Sequence, residues 1–177
     1  MTSLQVRRLT YSALFLAIAM VLPFLTGQIP QVGSMLSPMH IPVLLCGFLC
    51  GWPWGLSVGF VAPLLRSVIF GIPAMFPGAV AMAFELAVYG SLSGLLYHLL
   101  PKKKWMIYAV LVISMLAGRV VWGIARLILA GLSGNSFTWG LFLAGAFTNA
   151  IPGIILHIVL IPVLVMTMER AGLSLNK

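Results

Sequence analysis

Four ionised side chains stand inside otherwise apolar stretches: Arg66, Glu85, Arg119 and Arg126. In hydrocarbon each costs at least about 2.5–3.5 kcal/mol at mid-depth, so each must face a protein interior or a watery cavity. One carboxylate cannot balance three guanidinium groups. The surplus favours a bound carboxylate or phosphate, which arginine grips through two parallel hydrogen bonds. Arg119 and Arg126 are seven residues apart, which on a helix puts both on one face with Trp122 beside them. The plainer alternative is that Glu85 neutralises one arginine while the others snorkel or meet lipid phosphate.

A second tier of polar and aromatic residues accompanies these charges. His40 and His157 lie in apolar helices, where a histidine is more often hydrogen-bonded packing than a ligand contact. Asn149 must find a polar partner if buried. Phe76, Trp122 and Trp139 suit stacking on a flat ring, or equally an interfacial aromatic belt. This chemistry is binding rather than catalysis. Glu85 and Glu169 are the only acids, and Glu169 adjoins Arg170, so the paired acids or metal clusters of a membrane enzyme are missing. No metal or cofactor is called for. Cys46 and Cys50, one helical turn apart in an apolar segment, read as packing rather than as a disulfide or metal site.

The elements that position these residues must be membrane helices. Of 177 residues 62% are hydrophobic and only 7% charged, with a mean hydropathy of +1.14. A soluble domain would carry roughly 25% charged residues. The length allows one domain, residues 1–177. The net charge of +8 is therefore read as a topology signal, not as a nucleic-acid footprint. Arg7 and Arg8 ahead of an apolar run resemble a signal peptide, but no small-residue cleavage site closes that run, which reads as a retained first helix.

Six helices are expected, at about Leu9–Leu25, Met39–Trp52, Trp54–Phe70, Gly78–Leu100, Trp105–Ala130 and Trp139–Met168, the last bent or edged by Pro152 and Pro162. The second is short, so a full span and a re-entrant hairpin are both open. Arg7, Arg8, Lys102, Lys103, Lys104, Arg170 and Lys177 then fall on one face, the cytoplasm, together with both termini. The opposite loops, Gly27–Pro38, Gly71–Pro77 and Gly131–Thr138, hold no charge. Arg66, Glu85, Arg119 and Arg126 meet beneath those loops, where a protein capturing a solute from outside would place its cavity. Small residues recur at helical spacing: Ala13 with Ala17, Gly47 through Gly59 every fourth residue, and Gly90 with Gly94. They suit close helix packing, or a face for a partner subunit.

The order of these features resembles the S components of energy-coupling factor (ECF) transporters, bacterial importers of vitamins and their precursors. The carrying segments are Ala13-Leu14-Phe15-Leu16-Ala17, Met39-His40-Ile41-Pro42-Val43-Leu44-Leu45 and the glycine-rich hairpin after it. Phe76-Pro77, Glu85-Leu86, Tyr89-Gly90, Gly118-Arg119 and Asn149-Ala150-Ile151-Pro152-Gly153-Ile154 complete the match. The resemblance implies a six-helix all-α bundle with its ligand in the outer half, capped by the loop between the first two helices. It implies that the Ala13/Ala17 face docks on a membrane coupling subunit driven by two ATPase subunits, and that the protein topples to carry its ligand inward. It places the chain in a bacterial cell membrane. His157 departs from the pattern, since a neutral amide is more usual there. The sequence has no P-loop of the form G-x-x-x-x-G-K-[ST], so ATP hydrolysis must come from elsewhere. The competing class is a stand-alone secondary transporter or small channel. Such proteins often carry inverted repeats and a proton-relaying carboxylate, and here there is no visible repeat and only Glu85 for the relay.

Overall fold

The computed structural model describes residues 2–26, 33, 35–132, 134 and 138–176, and among these every regular element is a helix. Helix α1 (Ser3–Val21) begins with a capping box: Gln5 N donates to Thr2 Oγ1 at 3.4 Å and Thr2 N to Gln5 Oε1 at 3.0 Å. Those two bonds serve amide groups that no helical carbonyl reaches, so α1 starts six residues ahead of its apolar run. It continues as a 3₁₀ turn, Leu22–Thr26, from Pro23 onward. Helices α2 (His40–Cys50) and α3 (Trp52–Phe70) meet at Gly51, whose φ of 98° lies where a side chain would be strained. Gly71, left-handed at φ 70°, ends α3.

A π-turn, Met75–Ala79, leads into α4 (Val80–Leu99). The Leu100-Pro101 break separates α4 from α5 (Lys104–Leu132). The expected sixth helix is in two pieces. Helix α6 (Trp139–Ala146) stops at Phe147, a 3₁₀ turn spans Thr148–Ala150, and α7 (Ile151–Arg170) restarts with Pro152 in its first turn. Proline there fits, since its missing N–H has no intrahelical partner to lose. Pro162 sits inside α7 without ending it.

Among the described residues, five stretches are long and apolar enough to cross a membrane: Ser3–Leu25, Trp52–Phe70, Met75–Leu99, Lys104–Leu132 and Trp139–Arg170. The remaining expected helix, α2, has 11 residues, all buried. At 1.5 Å per residue it covers about 16 Å, half of a bilayer core. Outside, Val21, Val68, Leu127 and Val159 and many similar side chains are exposed on the long helices. An apolar exterior of this extent suits lipid as the solvent.

The glycines sit where backbones touch. A Cβ on Gly55 would strike the Gly90 carbonyl, one on Gly90 the Gly55 carbonyl, and one on Gly59 the Leu86 carbonyl. Gly47 and Gly94 hold α2 against α4 in the same way. The glycine series thus serves internal packing. Cys46 and Cys50 are free and buried in the core. Ala13 and Ala17 lie on the exposed side of α1, away from its buried stripe of Ser12, Phe15 and Ala19.

The end carrying the termini is knitted by the chain's tail. Leu175 N donates to Leu49 O (2.7 Å), and Asn176 Nδ2 to Gly94 O (3.0 Å). Arg8 Nη2 donates to Leu175 O and Lys102 Nζ to Asn176 O, both at 2.6 Å. Tyr97 hydroxyl donates to Glu169 Oε1 at 2.6 Å. This end, the base, gathers the basic residues expected to share one face. Lys177 and parts of the loops 27–38 and 131–138 lie outside the described residues.

Candidate solute-binding cavity

At the end opposite the base, the helices part around a cavity of about 600 Å³. Its wall brings together His40, Arg66, Glu85, Arg119, Trp122, Arg126 and Asn149. Pro23 from the end of the first span, Ser37–Met39, the Gly71–Ala74 loop, Gly78, Met82 and Gly145 complete it. Ser37, at φ 46°, turns the chain into α2, and His40 N donates to its carbonyl at 3.0 Å.

Glu85, 1% exposed, is the hub of the floor. Arg119 Nη1 stands 3.0 Å from its Oε1, Tyr89 hydroxyl donates to the same oxygen at 3.1 Å, and His40 Nε2 lies 3.6 Å away. Glu85 and Tyr89 are four residues apart and so share one face of α4. Gly118 makes the convergence sterically possible, because a Cβ there would fall on the Tyr89 ring. The His40 ring stacks on His157 with centroids 5.9 Å apart and planes 24° apart, and meets the Tyr89 ring edge at 5.2 Å. Among the described residues, Arg119 Nε and both ring nitrogens of His40 have no hydrogen-bond partner. A buried ion pair of this kind has little net stabilising effect, but deleting one member leaves an isolated charge.

Arg66, 2% exposed, donates through Nη1 to the Met20 carbonyl and lies against the rings of Phe24 (5.1 Å) and Phe70 (5.2 Å). Met20 belongs to the last turn of α1, at the negative end of the helix dipole. Arg126 lies over the Trp122 indole, 5.7 Å from its centroid. Gly145 leaves room for that indole, which also stacks on Phe142. Asn149 reaches the wall from the 3₁₀ turn between α6 and α7.

Phe76 is a correction. It is 50% exposed and is not among the residues of the wall; its φ of −119° and ψ of 133° break the helical course just before Pro77. Trp139, 72% exposed, is also outside. Tyr89's place beside Glu85 escaped the sequence reading, though it was legible in the Glu85-x-x-x-Tyr89 spacing. His157, weighed there between packing and ligand contact, packs on His40 beneath the floor. Among the described residues no three His, Cys, Asp or Glu side chains gather as metal ligands would.

The charge balance follows from the acid count. The wall carries three arginines and Glu85. Glu169, the other acid in the sequence, is at the base on Tyr97. The cavity wall therefore has two more arginines than acids. Such a space can bind an organic anion of modest size; pockets of about 300–1,000 Å³ enclose small ligands.

The family model described as "ECF transporter, substrate-specific component" matches residues 7–165. The chain matches no curated protein and no solved structure.

Proposed function

Because the chain belongs to the family of ECF transporter substrate-specific components, we propose that it captures a water-soluble vitamin or vitamin precursor with an acidic group, from outside a bacterial cell, for ATP-driven import. The observation that carries this reading is the cavity wall, where three arginines face one carboxylate. In a low-dielectric surrounding, a bound carboxylate or phosphate removes a repulsion that the protein's own residues leave standing. The basic base then faces the cytoplasm and the cavity the exterior. The protein acts as a binding subunit, and energy comes from a membrane coupling subunit with two ATPase subunits.

The exposed Ala13/Ala17 face of α1 is the proposed docking surface for the coupling subunit. Ala13→Trp with Ala17→Trp is expected to bring uptake in cells to background while solute binding in detergent stays within about twofold, well under 1 kcal/mol. Loss of binding in that variant would assign the pair to internal packing instead.

The first test is mass spectrometry of small molecules released from the purified, denatured protein. Micromolar or tighter binding corresponds to about 8 kcal/mol, enough to retain a solute through purification. A vitamin-like acid at near-equal stoichiometry supports capture. An empty protein from vitamin-replete cells would favour the stand-alone secondary transporter.

A further inference from the structure

The cavity's polar groups are divided between two levels. At the floor, Arg119 is matched by Glu85, so the cluster is neutral overall. It still presents Arg119 Nε, His40 Nδ1 and His40 Nε2, none with a hydrogen-bond partner among the described residues, on residues 8% and 3% exposed. Near the rim stand Arg126 and Arg66, with no acid left in the sequence to balance them. Arg119 and Arg126 lie seven residues apart on one face of α5, which is about 10 Å along the axis. Between the levels the wall is apolar, formed by Met39, Met82 and Trp122.

From this arrangement we infer that the solute is two-ended, about 10 Å long, with its acidic group held at the rim by Arg126 and Arg66 and a neutral hydrogen-bonding group held at the floor by Arg119 and His40. The inference rests on the capture function and specifies the chemistry of that same site. A second carboxylate at the floor would lie against Glu85, and like charges that close oppose each other's ionisation. A carbonyl or heterocyclic nitrogen meets no such repulsion and accepts from the Arg119 Nε–H or the imidazole. An acid at the rim relieves the surplus positive charge. The orientation is therefore acid outward, neutral end inward.

The test uses three matched pairs, measured by calorimetry and thermal shift on the detergent-solubilised protein. Biotin with biotinamide and pantothenate with pantothenol are long and differ only at the acidic end. Nicotinate with nicotinamide is a single-ring pair, too short to reach both levels. At least one long acid is expected to bind about tenfold or more tighter than its neutral counterpart, a difference of 1.4 kcal/mol or more, and nicotinate is expected to bind weakly. Arg126→Gln should bring the preferred acid and its neutral counterpart to similar affinity. Arg119→Gln should weaken both members of that pair by a similar factor. Should that variant fail to fold, Arg66→Gln, which leaves the Glu85 pair intact, is expected to reduce the acid preference in part.

Equal binding of acids and neutral counterparts would overturn the inference. So would nicotinate matching the long acids, or an acid preference unchanged in Arg126→Gln. If none of the six binds while mass spectrometry finds a bound solute, a neutral or single-ring solute overturns it and leaves the capture function standing. A two-ended acid of the stated length supports it. A protein that releases nothing and is stabilised by none of the six fails at the capture function itself.

Discussion

The two ends of the bundle treat positive charge in opposite ways. At the base, Arg8 and Lys102 are met by backbone carbonyls of the tail, while Glu169 accepts from Tyr97. These groups sit at a membrane boundary, where water shares the load and each contact contributes little. At the other end Arg66, Arg119 and Glu85 are buried, and the arginines outnumber the acid. The base spends its charges on orientation and on fixing the tail. The cavity keeps its surplus positive charge for something that arrives. The difference shows that a charge's role here depends on depth and on what faces it, more than on residue type.

Three substitutions probe that contrast. The largest effect is expected from Glu85→Ala, which isolates Arg119 in a buried setting. Unfolding in detergent should become easier by about 3–5 kcal/mol, with loss of solute binding. Unchanged stability would mean that water already reaches Arg119, and the contrast between the ends would weaken. Next is Gly55→Ala on the seam between α3 and α4, where the new Cβ meets the Gly90 carbonyl. Overpacking there is expected to destabilise by about 1–3 kcal/mol, read as an earlier thermal transition in detergent. If the loss appears instead as weakened binding at normal stability, the seam and the cavity wall are more tightly linked than the contacts indicate. Smallest is Lys102→Ala at the base, which removes one bond to the tail. Stability should fall by at most about 1 kcal/mol, and calorimetric affinity should not move. A clear change in affinity would show that the base communicates with the cavity.

Much of this was legible in the sequence because membranes make errors conspicuous. A charge inside an apolar run must have a destination, so Arg66, Glu85, Arg119 and Arg126 announced a shared interior, and the structure brings all four to one wall. Gly51, Gly71 and Pro101 marked the helix boundaries by the backbone conformations they permit or forbid. Other features left no mark in hydropathy. The break at Phe147–Ala150 lies within a continuously apolar stretch, so composition could not reveal it. The early start of α1 depends on the Thr2–Gln5 capping bonds rather than on apolar residues. Phe76 lies off the wall, at one non-helical residue before a proline, which hydropathy does not mark. Tyr89 looks like an ordinary occupant of an apolar helix, and only Glu85, one turn away, hints at its contact.

Helix α2 bears on permeability. Its 11 buried residues run from Cys50 near the base to His40 at the cavity floor. Below the floor lies a plug about 16 Å deep, filled by Phe48, Leu44, Leu49 and Tyr97 and sealed where Gly47 and Gly94 bring backbones into contact. Opening an aqueous path through it would require parting backbones already at contact distance and wetting an apolar core. The fold is a socket with a solid floor: the wall opens at one end and closes, well short of the other, on packed backbone.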